Sequence, residues 1–216
     1  MISKPSRNKV ITYAFIALLI FAISRVFYSA LFLFLIAPIL VVLLIEKRSL
    51  TSIGCVFEKD RVGQYFRYTI FGFLSQVVVL AFVAASIRYV FRESYELSMP
   101  PNLLIEFIEQ LYIVGLPEEI YYRGYLQIRL GDWLGETAGF LIGCIIFGSA
   151  HIVSRVQYYG LGYIGPATVI GLGAFLGALV FGYALVRTKS LYPSIIAHIA
   201  TNMFASGIVS LVLGQS

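Results

Sequence analysis

The sequence predicts an all-α fold, a polytopic membrane helix bundle of about seven transmembrane spans with a range of six to eight. Three observations predict it. The 216 residues are 59% hydrophobic and only 12% charged, about half the charged share of a soluble domain. Apolar runs of spanning length recur along the whole chain. The cations sit at the ends of those runs rather than along one polar face. A net charge of +5 therefore marks topology, with the lipid bilayer as partner and no nucleic acid.

The first span is Val10 to Ser24. Its basic lead and apolar stretch have the form of a signal peptide, but apolar runs follow at once, which favours an uncleaved first span. The second is Val26 to Ile45, set off by Arg25. A polar stretch from Glu46 to Arg67, with Glu58, Lys59, Asp60 and Arg61, is expected at the membrane surface. The third span is Tyr68 to Phe91. A loop with Arg92, Glu93, Glu96, Pro100 and Pro101 leads into the fourth, Leu103 to about Leu130. Pro117 removes a backbone donor there and is expected to kink the helix. The fifth is Thr137 to about Val153, the sixth Leu161 to Val186, and the seventh Leu191 to Leu213.

Small residues four apart, Gly139 with Gly143 and Gly173 with Gly177, let helices approach closely, which favours packing within the chain and leaves a dimer face as the alternative. Cys55 and Cys144 are too few for a disulfide framework. No internal repeat is evident, which weighs against an inverted-repeat transporter. Residues 1–102 read as N-terminal transmembrane helices with an interfacial segment, and 103–216 as the half that bears the polar motifs, within one integral membrane domain.

With the N-terminus in the cytoplasm, only Arg25, Arg88, Arg92 and Arg155 of the 16 cations fall outside. That three-to-one bias supports a multi-pass cell-membrane protein with a cytoplasmic N-terminus.

Chemistry is expected where charge enters apolar spans. Pro117-Glu118-Glu119-Ile120-Tyr121-Tyr122-Arg123 lies in the fourth span, and a mid-membrane charge costs about 2.5–3.5 kcal/mol on insertion scales. Glu119 and Arg123 are four apart on one helical face, acid first, which suits an ion pair. Glu118 is rotated by about a hundred degrees and lacks that partner, so it is left free for proton transfer. The blander reading makes both acids interfacial. The chain has two histidines, and both lie in apolar spans. His151 ends Phe147-Gly148-Ser149-Ala150-His151. His198 and Asn202 are four apart on one face and offer two polar groups to the bundle interior. Ionisable groups inside spans default to a functional hypothesis.

Other residues weigh less. Ser149 stands two residues before His151, so the two face apart and Ser149 is expected to be a small packing residue. Tyr121, Tyr122 and Tyr125 are expected as interfacial anchors or as the border of a substrate groove. Glu106 and Glu109 read equally well as an outer vestibule or as surface groups.

The order Glu118-Glu119-x-x-x-Arg123, Phe147-x-x-x-His151, His198-x-x-x-Asn202 resembles the three motifs of the CAAX-protease and bacteriocin-processing family, the Abi or Rce1-like group. The likeness covers roughly residues 100 to 213 and uses every histidine in the chain. It implies an intramembrane endopeptidase acting on a hydrophobic, lipidated or membrane-anchored peptide or protein. Glu118 would activate a water with help from His151, and His198 and Asn202 would hold the oxyanion. Glu119 and Arg123 would keep the fourth helix in register, and Phe147 would pack beside the site. Bacterial relatives are associated with peptide maturation and self-immunity, so prenylation of the substrate is not required by the likeness.

No cofactor is expected. The alternative is zinc held by Glu118, His151 and His198, since catalytic zinc takes three protein ligands and a water. Against zinc, the chain has no His-Glu-x-x-His sequence, and the His198–Asn202 pairing suits oxyanion binding better. Two other function classes use the same residues: a transporter or proton relay through Glu118 and the histidines, and a non-catalytic immunity or scaffold protein.

Overall fold

The computed structural model describes residues 6–24, 31–93 and 99–212. Lys4, Arg25, Glu96 and the expected start of the second span at Val26 lie outside the described residues. Those that are described are helical with short turns and no strand. Among the described residues, five helices are long and apolar enough to cross a membrane: α1 (Arg7–Ser24), α3 (Lys59–Phe91), α6 (Glu136–Tyr159), a run from Leu161 to Thr188 whose regular part is α7 (Ile164–Thr188), and α8 (Tyr192–Leu211). A shorter apolar helix, α2 (Leu33–Ile45), and a broken one, α4 (Leu103–Tyr112) followed by α5 (residues 115–134), bring the bundle to about seven spans. Its outer surface exposes Phe15, Leu19, Leu44, Phe66, Val78, Phe82 and Leu104. Apolar side chains of that size facing outward fit a lipid surround.

The fourth span breaks earlier than its proline suggests. Asn102 caps α4 by accepting from the Leu104 and Ile105 amides at 3.0 and 3.1 Å. The helix then stops at Ile113 and Val114, and α5 restarts at Gly115. Pro117 therefore sits in the first turn of a new helix, where a missing N–H forfeits no hydrogen bond. From Glu119 to Gln127 the helix widens to bonds of the i→i+5 kind, a form that recurs at functional sites. The same widening occurs at Thr201–Ala205 in α8.

Two expectations need correction. The polar stretch does not simply lie on the surface: its first residue, Glu46, is buried, and its last third is already α3. Glu46 reaches α5, where its carboxylate takes the Arg129 guanidinium in two bonds of 2.6 and 2.9 Å. Such a pair is stable in a dry interior only when geometry and further donors compensate lost hydration. Ser52 supplies part of that compensation, its carbonyl and hydroxyl each 3.3 Å from the guanidinium. Tyr121, Tyr122 and Tyr125 are not interfacial either; all three are buried at the bundle centre. The Tyr121 hydroxyl donates to the Ala17 carbonyl at 2.9 Å and ties α1 to α5.

Cations gather at one end of the bundle. Arg129 meets Glu46 there, Arg48 lies 3.8 Å from Asp132, Lys189 meets Glu136 at 3.0 Å, and Arg61 donates to the Thr188 carbonyl. The other end carries Arg88 and Arg92 at the close of α3 and Arg155 near the close of α6.

The glycine pairs pack within the chain. Gly143 lies against Gln127, Gly173 against Val83, and Gly139 directly on the Gly131 backbone. A Cβ at position 139 would overlap main-chain atoms that cannot rotate away. Gly139→Ala should therefore lower stability by about 1–3 kcal/mol, the usual cost of overpacking. Unfolding of the detergent-solubilised protein by titrated SDS checks this; an unchanged midpoint would contradict the contact.

Candidate active site

Four helices contribute to one polar centre. Glu118 and Glu119 stand where α5 restarts, Phe147 and His151 midway along α6, Phe181 on α7, and His198 with Asn202 on α8. Phe147, His151, Phe181, His198 and Asn202 line a single open cavity of ≈ 400 Å³. Glu106, Arg155 and Ser206 line the same space.

His198 stands between the two glutamates. Its Nδ1 lies 2.9 Å from Glu119 Oε1, and its Nε2 lies 3.9 Å from Glu118 Oε2. A carboxylate can only accept, so the short contact is an Nδ1–H donation that fixes the ring and turns Nε2 toward Glu118. Glu119 also meets Arg123 Nη1 at 3.1 Å, and both side chains are almost wholly buried. Glu118, by contrast, keeps 19% of its side chain exposed and has no Arg or Lys salt bridge among the described residues. Two neighbouring acids thus stand in different surroundings, one neutralised and one open.

The aromatic rings transmit this order. The Arg123 guanidinium lies 4.0 Å from the Phe147 ring centre and 5.6 Å from that of Phe181. Phe147 meets the His151 ring at 4.5 Å, and Phe181 stacks on the His198 ring at 5.5 Å. One buried cation therefore braces both histidines through two phenylalanines, contacts worth roughly 0.5–2 kcal/mol each. Phe181 carries no motif signal, because its neighbours come from three other helices.

His151 Nδ1 is 3.0 Å from the Phe147 carbonyl. A carbonyl only accepts, so Nδ1 holds the proton and the Nε2 lone pair is left available. Asn202 Nδ2 donates to Gln110 Oε1 at 2.7 Å, and Gln110 Nε2 donates to Glu106 Oε1 at 2.6 Å. That chain aims the Asn202 amide and leaves its second N–H unassigned. Gln110 is buried in α4, just before the break, and nothing in its sequence context marks it.

Glu106 is thus part of the cavity wall, whereas Glu109, three residues on, is exposed and does not line it. Ser149 is exposed rather than packed and points away from His151, as residues two apart on a helix must. Among the described residues no three His, Cys, Asp or Glu side chains cluster closely enough to hold a metal ion.

Residues 100–204 match the family described as type II CAAX prenyl endopeptidase Rce1-like. Neither a curated relative nor a solved structure matches the chain.

Proposed function

We propose, from the membership of the motif-bearing half in the Rce1-like family of type II CAAX prenyl endopeptidases, that Glu118 and His151 activate a water for peptide hydrolysis inside the membrane. The substrate is a peptide or protein with a hydrophobic or lipidated segment near the scissile bond. One observation carries this reading: polar groups from α6 and α8 line one cavity, and the partly exposed Glu118 carboxylate faces the His198 ring beside it.

The steps follow from the donors and acceptors. Glu118 accepts a proton from water while the His151 Nε2 lone pair orients it, and the oxygen forms a bond to the substrate carbonyl carbon. The resulting oxyanion receives the free N–H of Asn202. His198 in its doubly protonated form adds its Nε2–H, with Glu119 balancing the charge through Nδ1. Glu118 then returns the proton to the departing nitrogen, and the C–N bond breaks. An acid and an amine result, with no net change at the site.

The reading is metal-independent. What supports it is that Asn202 lines the same cavity as His198 with its amide oriented by Gln110, a donor that suits an oxyanion rather than a cation. Purified protein in detergent should cleave an internally quenched, farnesylated peptide with a Cys-aliphatic-aliphatic-X end. Activity should persist after exhaustive chelation. Loss restored by zinc alone would overturn the metal-independent form; absence of cleavage, with ion flux in vesicles that depends on Glu118, would replace the peptidase by a relay.

Topology is part of the same proposal. The cation-rich end and the start of α1 lie in the cytoplasm of a multi-pass cell-membrane protein, in keeping with the charge bias.

A further inference from the structure

Gln76 stands midway along α3, outside the matched residues 100–204. It is 9% exposed and lines the same cavity as His151, His198 and Asn202. Its Nε2 is buried with no hydrogen-bond partner. An unpaired amide inside a membrane helix costs stability, and a leucine in its place would cost none. Such a group calls for an occupant that is missing from the protein alone.

The surroundings make room for this side chain. A Cβ on Gly177 would come within 2.8 Å of Gln76 Oε1 and 3.0 Å of Nε2, so only glycine on α7 accommodates the amide there. One turn earlier on α3, Gly72 packs against Phe181, the ring that stacks on His198. Gln76 is therefore one helical turn, about 6 Å of rise, from the level of the catalytic imidazole. A carboxamide presents a donor and an acceptor side by side, as a peptide group does. Being neutral, it adds no charge beside two glutamates.

We infer that Gln76 binds the substrate backbone: once its amide turns toward the cavity, Nε2–H donates to a carbonyl next to the scissile bond, and Oε1 accepts an N–H from the same stretch. The inference rests on the endopeptidase reading and sharpens it, because a group with this pattern selects an extended peptide over an ion or a lipid tail. It also gives the N-terminal half a part in recognition.

The test uses the full chain in detergent with the farnesylated reporter peptide. Gln76→Leu should raise KM by about ten- to a hundredfold with kcat changed less, and its thermal unfolding midpoint should stay equal or rise. Gly177→Ala, which displaces the amide without removing it, should raise KM in the same direction. A KM unchanged in Gln76→Leu would overturn the inference while leaving the peptidase intact. An unfolding midpoint that falls together with activity would overturn it too, by showing that Gln76 supports the fold. A wild type that neither cleaves nor binds the reporter would remove the endopeptidase reading, and this inference with it.

Discussion

Glu118→Gln is expected to lower kcat for peptide cleavage by about two to four orders of magnitude, the range that a positioned general base contributes. The amide keeps the shape of the carboxylate but cannot accept the water proton. Because Glu118 is partly exposed and its salt bridge among the described residues is a 3.9 Å contact with the His198 ring, the change breaks no short buried ion pair. Fold and affinity should therefore survive. Equilibrium binding of the reporter peptide should stay within about threefold of wild type, a small change beside the tenfold that 1.4 kcal/mol represents, and the unfolding midpoint should hold. Cleavage within tenfold of wild type would remove Glu118 from the role of base.

Arg123→Leu should have the largest effect on stability. It leaves the Glu119 carboxylate, which has no exposed surface, without its cation, and breaking a buried pair costs about 3–5 kcal/mol. It also withdraws the guanidinium from the faces of Phe147 and Phe181, so both histidines lose their brace. The double variant Glu119→Gln with Arg123→Leu removes both charges and should recover much of the stability. Activity should stay low in that double variant, since a glutamine holds His198 Nδ1 without balancing its charge. SDS-titrated unfolding and reporter cleavage measured on the same preparations separate the two effects. Full activity in the double variant would show that Glu119 matters only as the counterion of Arg123.

Local geometry explains what could be read in advance. The spans are visible because lipid demands long apolar runs. The Glu119–Arg123 contact is visible because residues four apart on a helix share a face. What escaped depends on chain packing. Gln76, Gln110 and Phe181 acquire meaning only through neighbours on other helices, and a lone glutamine in an apolar run gives no period to detect. Tyr121, Tyr122 and Tyr125 looked like a headgroup belt because tyrosine favours both environments, yet here α5 runs through the centre of the bundle. Pro117 pointed to a disturbance in the fourth span but not to its place, since a proline can either kink a helix or open a new one.

The contact between Glu46 and Arg129 spans 83 positions of sequence. Synthesis runs from the N-terminus, so the acid reaches the bilayer well before the base has been made. Until the later segment arrives, Glu46 has to stay hydrated at the headgroups, and α2 cannot settle to its final depth. The two halves are consequently locked together only once Arg129 is in place beside Glu46.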